Sequence, residues 1–367
     1  MSKIVYRFIG AAAGLGPMPR NEGVALDADR FGLGLRARWP FSHGRVSGWM
    51  VRWVCGALTL AMASLVWLPS SPVGAASNSV ITRAQAVQVV NNFAVKANGA
   101  SIATNNTVEG PPLSGADDPS IQANPLPNTP GTPPSNVSVY LPNQTSYPAQ
   151  FLAQVSYSTG QSIYLVFVKR SKSAPWLAVY QIQPATSMSV SPIAVDRSGS
   201  ATVVTGSSGL KFDPATVRRS VTGYLQHAAL TKSAPPSKIF DPSVAQSAIG
   251  LISQFASQGL ILTLTKEAPT TYPVFSYRLS DGGALAFLTV QGAGHIVSND
   301  PTKGVVLSAP QPGLTANTRY KSVDETALVL IALVVPRAKS PGLVSLAGQY
   351  LGVISGKGVP CATATTC

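Results

Sequence analysis

Fifteen consecutive residues, 54–68 (VCGALTLAMASLVWL), carry no charge and follow Arg36, Arg38, Arg45 and Arg52. A basic stretch leading into an apolar one is the pattern of an export signal. The positive-inside rule then places everything after Ser70 outside the membrane. Val73, Gly74 and Ala75 come next, with small side chains suited to a signal peptidase, so cleavage is expected between Ala75 and Ala76. The apolar run is shorter than the roughly 20 residues needed to span about 30 Å of hydrocarbon. Counted from Trp49 to Pro69 it is long enough, with Arg52 snorkelling to the cytoplasmic edge. Two alternatives therefore stand: a secreted protein released by cleavage, or an uncleaved helix that tethers the C-terminal part to the outside of the cell membrane.

Met50 opens a conventional signal by itself. Residues 1–49 lack helical or strand periodicity and read as a disordered tail or a mis-assigned start. Cys55 lies inside the apolar run without a lipobox, which argues against lipid modification. Beyond it only Cys361 and Cys367 remain. In an oxidising compartment these two can form a disulfide, a staple on a short C-terminal loop.

Of 367 residues, 45% are hydrophobic and 11% charged, enough to bury a core. The net charge is +13. A basic excess suits an anionic envelope polymer or another envelope protein as partner. The cations are scattered, however. The densest groups, Lys169, Arg170 and Lys172, then Arg218 and Arg219, lack the interleaved aromatics of a strand binder, so no specific nucleic acid is expected.

Thr82 and Gln85 stand at capping-box spacing ahead of an amphipathic helix ending near Gly99. Eight prolines between residues 100 and 135 bar a helix or inner strand there. Strand patterns follow at 137–141, 151–157, 162–168 and 176–182, with a hairpin at 192–204 turning through Asp196 to Gly199. Asp213-Pro214 and Asp241-Pro242 each announce a helix by an N-cap followed by proline at its first position. Strands resume at 260–265, 274–279, 284–291, 305–308 and 326–335, while 343–354 suits either type. Thr145-Ser-Tyr147-Pro148 is echoed by Thr270-Thr-Tyr272-Pro273, each ahead of a glycine turn and a hairpin, which suggests an internal duplication.

The expected fold is α+β: two tandem helix-plus-antiparallel-sheet units, cystatin-like or nuclear-transport-factor-like cones, after the apolar export helix. Residues 1–49 form the tail and 50–75 the signal or anchor. Residues 76–208 form the first unit, with the Pro-rich insert at 100–135; 209–360 form the second, and 361–367 the tail with the cysteine pair.

The segments from Thr82-Arg-Ala-Gln-Ala to Asn98, Val139-Tyr-Leu-Pro142, Tyr147-Pro-Ala-Gln-Phe151 and Ala174-Pro-Trp176 resemble an uncharacterised family of actinobacterial exported proteins and lipoproteins. The resemblance covers roughly residues 80–350 and implies no activity, ligand or catalytic residue. The absent lipobox sets this chain apart from the lipoprotein members.

Motifs of known chemistries are missing. His227 and His295 have no metal-ligand spacing, so neither a metal site nor a cofactor is expected. Gly352-Val-Ile-Ser-Gly356-Lys357 fails as a phosphate loop, and no Gly-x-Ser-x-Gly or His-Glu-x-x-His occurs. Asp324-Glu325 reads as a pair of solvated charges ahead of a strand, so no catalytic residue is named. If either cone holds an open pocket, Tyr147, Trp176 and Tyr180 would line the first and Tyr272 and Tyr277 the second. The expected function is non-catalytic binding or interaction at the bacterial cell envelope. A small-molecule enzyme, whose cone would need a buried carboxylate or histidine, and a wall-associated structural spacer are the alternatives. Mass spectrometry of the mature protein from an expressing culture should find a new N-terminus at Ala76; an intact apolar segment in the membrane fraction would establish the tether instead.

Overall fold

The computed structural model describes residues 79–100 and 134–367, apart from 159, 161, 186–188, 270–271, 307–312, 316 and 363–366. The apolar run, the Ala75–Ala76 junction and most of the Pro-rich insert lie outside the described residues. No helix among the described residues is long and apolar enough to cross a membrane.

Helix α1, Arg83–Ala100, starts at the capping box: the Thr82 amide donates to Gln85 Oε1 at 2.9 Å and the Gln85 amide to Thr82 Oγ1 at 3.3 Å. Strands β1 (Asn136–Tyr140), β2 (Ala149–Ser156), β3 (Ser162–Lys169) and β4 (Leu177–Pro184) form the expected meander. Helices α2 (Pro214–Thr231) and α3 (Pro242–Ser257) begin as Asp213 and Asp241 predict, each aspartate accepting from the backbone amide two residues on, with proline at the start of the helix. Strands β5 (Leu260–Pro269), β6 (Phe275–Arg278), β7 (Ala284–Ser298), β8 (Val305–Val306), β9 (Arg319–Val335) and β10 (Ser345–Pro360) complete the described elements.

The expectation of two tandem α+β cones is overturned. The ten strands form one antiparallel sheet, ordered β1-β2-β3-β4-β10-β9-β7-β5, with β6 on β7 and β8 on β9. Three helices lie on it among the described residues. The first meander is not closed off: β4 pairs with the last strand, Gly348 opposite Pro184 and Gln349 opposite Gln183. The Tyr147-Pro and Tyr272-Pro echoes precede β2 and β6, two strands of this same sheet.

The sheet curls into a half-barrel. Tyr164 on β3 and Phe287 on β7 are four strand steps apart, about 19 Å in a flat sheet at roughly 4.8 Å per step. Their rings stand 6.0 Å apart, edge to face. Side chains alternate along each strand, so the sheet has two separate cores. The inner one gathers Leu152, Val166, Tyr180, Tyr277, Phe287 and Leu330. On the outer face α1 seals β1–β3 with Ala86, Val90 and Phe93, while α2 and α3 cover Ala286, Leu288, Ile331 and Leu333. The segment 192–204 spans the open side of the curl. Its backbone bridges to Tyr277 and Leu279 on one hand and to Pro142, just past β1, on the other.

Phe287 touches Tyr164, Tyr180 and Tyr277 across the curl. Phe287→Ala should cost about 3–5 kcal/mol, the usual range for a buried aromatic, read from the midpoint shift in urea unfolding.

Candidate functional site

A hollow lies on the outer face of this sheet, beneath α3. On β7 the residues facing the helices run Leu288, Val290, Gly292, Gly294 and Ile296, so two glycines interrupt a row of large side chains. Opposite them on β9 stand Ala327, paired with Gly292, and Glu325, paired with Gly294. A Cβ placed on Gly292 meets nothing within 4 Å, whereas one on Gly294 would strike Leu262 Cδ1 at 2.9 Å. Small residues thus leave a floor that Leu251 and Phe255 of α3 and Leu262 and Leu264 of β5 roof without filling. The cavity measures about 80 Å³, several times the space one water needs.

Its shape is a slot. Ser247 and Phe255, both in the lining, are about 12 Å apart along the helix axis at 1.5 Å per residue. Gln349 at one end pairs with Ile331, six residues along β9 from Glu325 at the other. The Ser247 hydroxyl is turned away, donating to Val244 O at 2.9 Å.

Glu325 dominates the electrostatics. It is 8% exposed, and its neighbours on both flanking strands are glycines, Gly294 and Gly356. Its Oε1 has no hydrogen-bond partner, and neither has the buried Oε1 of Gln349. Burial alone pushes the carboxyl up to about 7. Strand alternation explains why the adjacent carboxylate differs: Asp324 points to the other face, 64% exposed, with its Oδ1 2.6 Å from His295 Nδ1. The reading of Asp324-Glu325 as solvated charges ahead of a strand is corrected: the exposed side chain is borne out for Asp324 alone, and the position ahead of a strand for neither. Both lie inside β9, and α3 covers only the second. His295 lies within β7.

The aromatic candidates sit elsewhere, and none lines the slot. Trp176 packs edge-on against Phe151 in the core under α1. Tyr180 is fully buried inside the curl, its hydroxyl 2.8 Å from Thr289 Oγ1 and 3.3 Å from Pro273 O. Tyr277 is fully buried beside it with an unpartnered hydroxyl, and burial raises its pKa far above the usual phenol range. Tyr272 is partly buried at the edge of this core, its carbonyl accepting from Arg218 Nη1. Tyr147 is half-buried ahead of β2. The structure thus brings Tyr180, Tyr272 and Tyr277 together inside the curl and leaves Tyr147 and Trp176 apart from them. Cys361 and Cys367 are paired, with Cα atoms 4.5 Å apart. Among the described residues no group of three or more His, Cys, Asp or Glu side chains could hold a metal ion.

A carboxyl whose pKa is raised by folding stabilises the fold while protonated. That contribution is complete below the unfolded value of 4.5 and is lost as pH climbs to about 7. At about 1.4 kcal/mol per unit the loss is on the order of 3 kcal/mol. Glu325→Gln should remove this slope, so that the variant overtakes the native chain in urea stability above neutral pH; parallel pH profiles of the two would refute the assignment.

The model of DUF8094, a domain of unknown function, matches residues 77–358. No curated protein and no solved structure matches the chain. With that match covering well over half of the chain, from ahead of α1 into β10, the chain belongs to the DUF8094 family.

Proposed function

We propose that this protein is a non-catalytic binding module at the bacterial cell envelope, exported by its N-terminal apolar segment, and that its ligand is a narrow apolar molecule held in the slot beneath α3. The observation that carries this reading is the bare floor at Gly292. Interiors pack at near-crystalline density, and a glycine inside a strand costs roughly 0.5–1 kcal/mol against alanine. An open hollow over a strand glycine is a stability cost without a structural return, and a ligand site supplies one. A purely structural spacer has no use for it.

The enzyme reading draws support from Glu325, a buried carboxyl poised to ionise near neutrality as a general acid or base would be. Binding is preferred because the Ser247 hydroxyl is engaged with backbone, Tyr350 belongs to the core on the other face of the sheet, and no other acid or base accompanies Glu325 in the lining.

The test is cavity filling. Gly292→Val places a β-branched side chain in the open space at a position where Gly292 has ordinary backbone angles. The variant should melt higher than the native chain by about 0.5–1 kcal/mol of stability. It should also lose the thermal stabilisation that 1-octanol gives the native full-length protein. Stabilisation by octanol that survives in Gly292→Val would place the ligand elsewhere; a lower melting point would mean that the slot is not open.

A further inference from the structure

Resting on that reading, we infer that the slot selects a single-chain amphiphile with a positively charged, hydrogen-bond-donating head, a primary alkylammonium, whose nitrogen seats on Glu325 and whose chain lies along the glycine floor toward Gln349.

The two ends of the slot carry the same unmet requirement. Glu325 Oε1 and Gln349 Oε1 are both acceptors, both buried and both without a partner. An orphan acceptor of this kind costs about 1–3 kcal/mol, more for a charged group. Among the described residues none donates to Glu325 Oε1. The flanking strands present Gly294 and Gly356, α3 presents Leu251 and Phe255, and β5 presents Leu262 and Leu264. Lys357 and His295 pair in register with Asp324 and face the opposite side of the sheet. Of the sixteen lining residues only Glu325 and Tyr350 can ionise, and none is Lys, Arg or His.

A ligand has to bring what this lining lacks, which is donors and a positive charge. A primary ammonium brings three donors and compensates the carboxylate whose burial is otherwise opposed. A fatty carboxylate would set acceptor against acceptor and charge against like charge. A hydroxyl head supplies one donor and no charge. The shape limits the other end, because about 80 Å³ drawn out along the helix admits one chain and not two.

Three probes of equal chain length separate head from tail: octylamine, 1-octanol and octanoate, titrated into the full-length protein and followed by thermal shift and by calorimetry. At pH 8 octylamine should bind at least about tenfold more tightly than octanoate, a difference of about 1.4 kcal/mol. Its affinity should rise between pH 5 and 8 as Glu325 gives up its proton to make way for the ammonium, which stays charged throughout, while octanol affinity stays flat. Glu325→Gln should cost octylamine about tenfold and leave octanol within about twofold. If octanoate or octanol equals octylamine, or if Glu325→Gln keeps full octylamine affinity, the head-group inference is overturned and the slot reading stands. If none of the three probes binds, both fall.

Discussion

Everything in this molecule hangs on a ladder two residues long. Gly348 and Gln349 of β10 pair with Pro184 and Gln183 of β4, and the Ala185 amide adds a bond to Ala347 O at 2.8 Å. This narrow contact makes one sheet of the first four strands and the last six. It admits only glycine at its centre, because a Cβ on Gly348 would lie 2.4 Å from Gln183 O. The backbones approach that closely because the sheet is turning there, next to a bulge between Leu346 and Gly348. Bulges and glycines are the usual means by which a sheet bends. Tightening the curl brings Tyr164 against Phe287 and creates the inner core. The same bend leaves the outer face of β7, β9 and β10 broad enough for two helices to lie on.

Much of the local structure is legible in the sequence. Thr82 with Gln85, Asp213 with Pro214 and Asp241 with Pro242 announce helix starts because capping is a short-range affair between a side chain and nearby amides. The turn at Asp196 announces a hairpin for the same reason. The ends of the long strands were hidden. β7 continues through Gln291-Gly-Ala-Gly-His295 and β9 begins at Arg319, and these stretches look like loops because glycines and charges break the alternation. They are held as strands by partners, β5 in one case and the length of β10 in the other, and a pairing between distant segments leaves no periodicity to read. The tandem-unit expectation failed at the same point: an echo of Tyr-Pro and a glycine turn reports on hairpins and says nothing about which strand the fourth one meets.

The candidate slot was illegible for a related reason. Glu325 sits beside Asp324 in the sequence, and the difference between a solvated carboxylate and a buried one is made by α3, some 70 residues earlier. The signal that was available lay in Gly292, Gly294 and Ala327, small residues at alternate positions next to Leu288, Val290 and Ile296 on β7 and Val329, Ile331 and Leu333 on β9. Read along one strand they suggest a weak strand; read across paired strands they describe a hollow. The aromatics drew attention because they are large, and large apolar groups fill cores. Here the inner core consumes Tyr180 and Tyr277 while the space is made by what is missing.

The strap at residues 192–204 has its own significance. It closes the curl through isolated bridges and single bonds, such as Ala201 N to Leu141 O and Val204 N to Ser276 O, rather than through a continuous ladder. Opening a seam of that kind unpairs few groups, so it belongs to the low-energy end of native-state fluctuations, whereas parting β9 from β7 or β10 would undo most of the sheet. The two faces therefore age differently under stress: water can reach Phe275 and Tyr277 through a parted seam while the helices over Leu288 and Leu333 stay seated. The strap and the slot beneath α3 lie on opposite faces of the sheet, so a parted seam exposes the inner core and leaves the slot's lining in place.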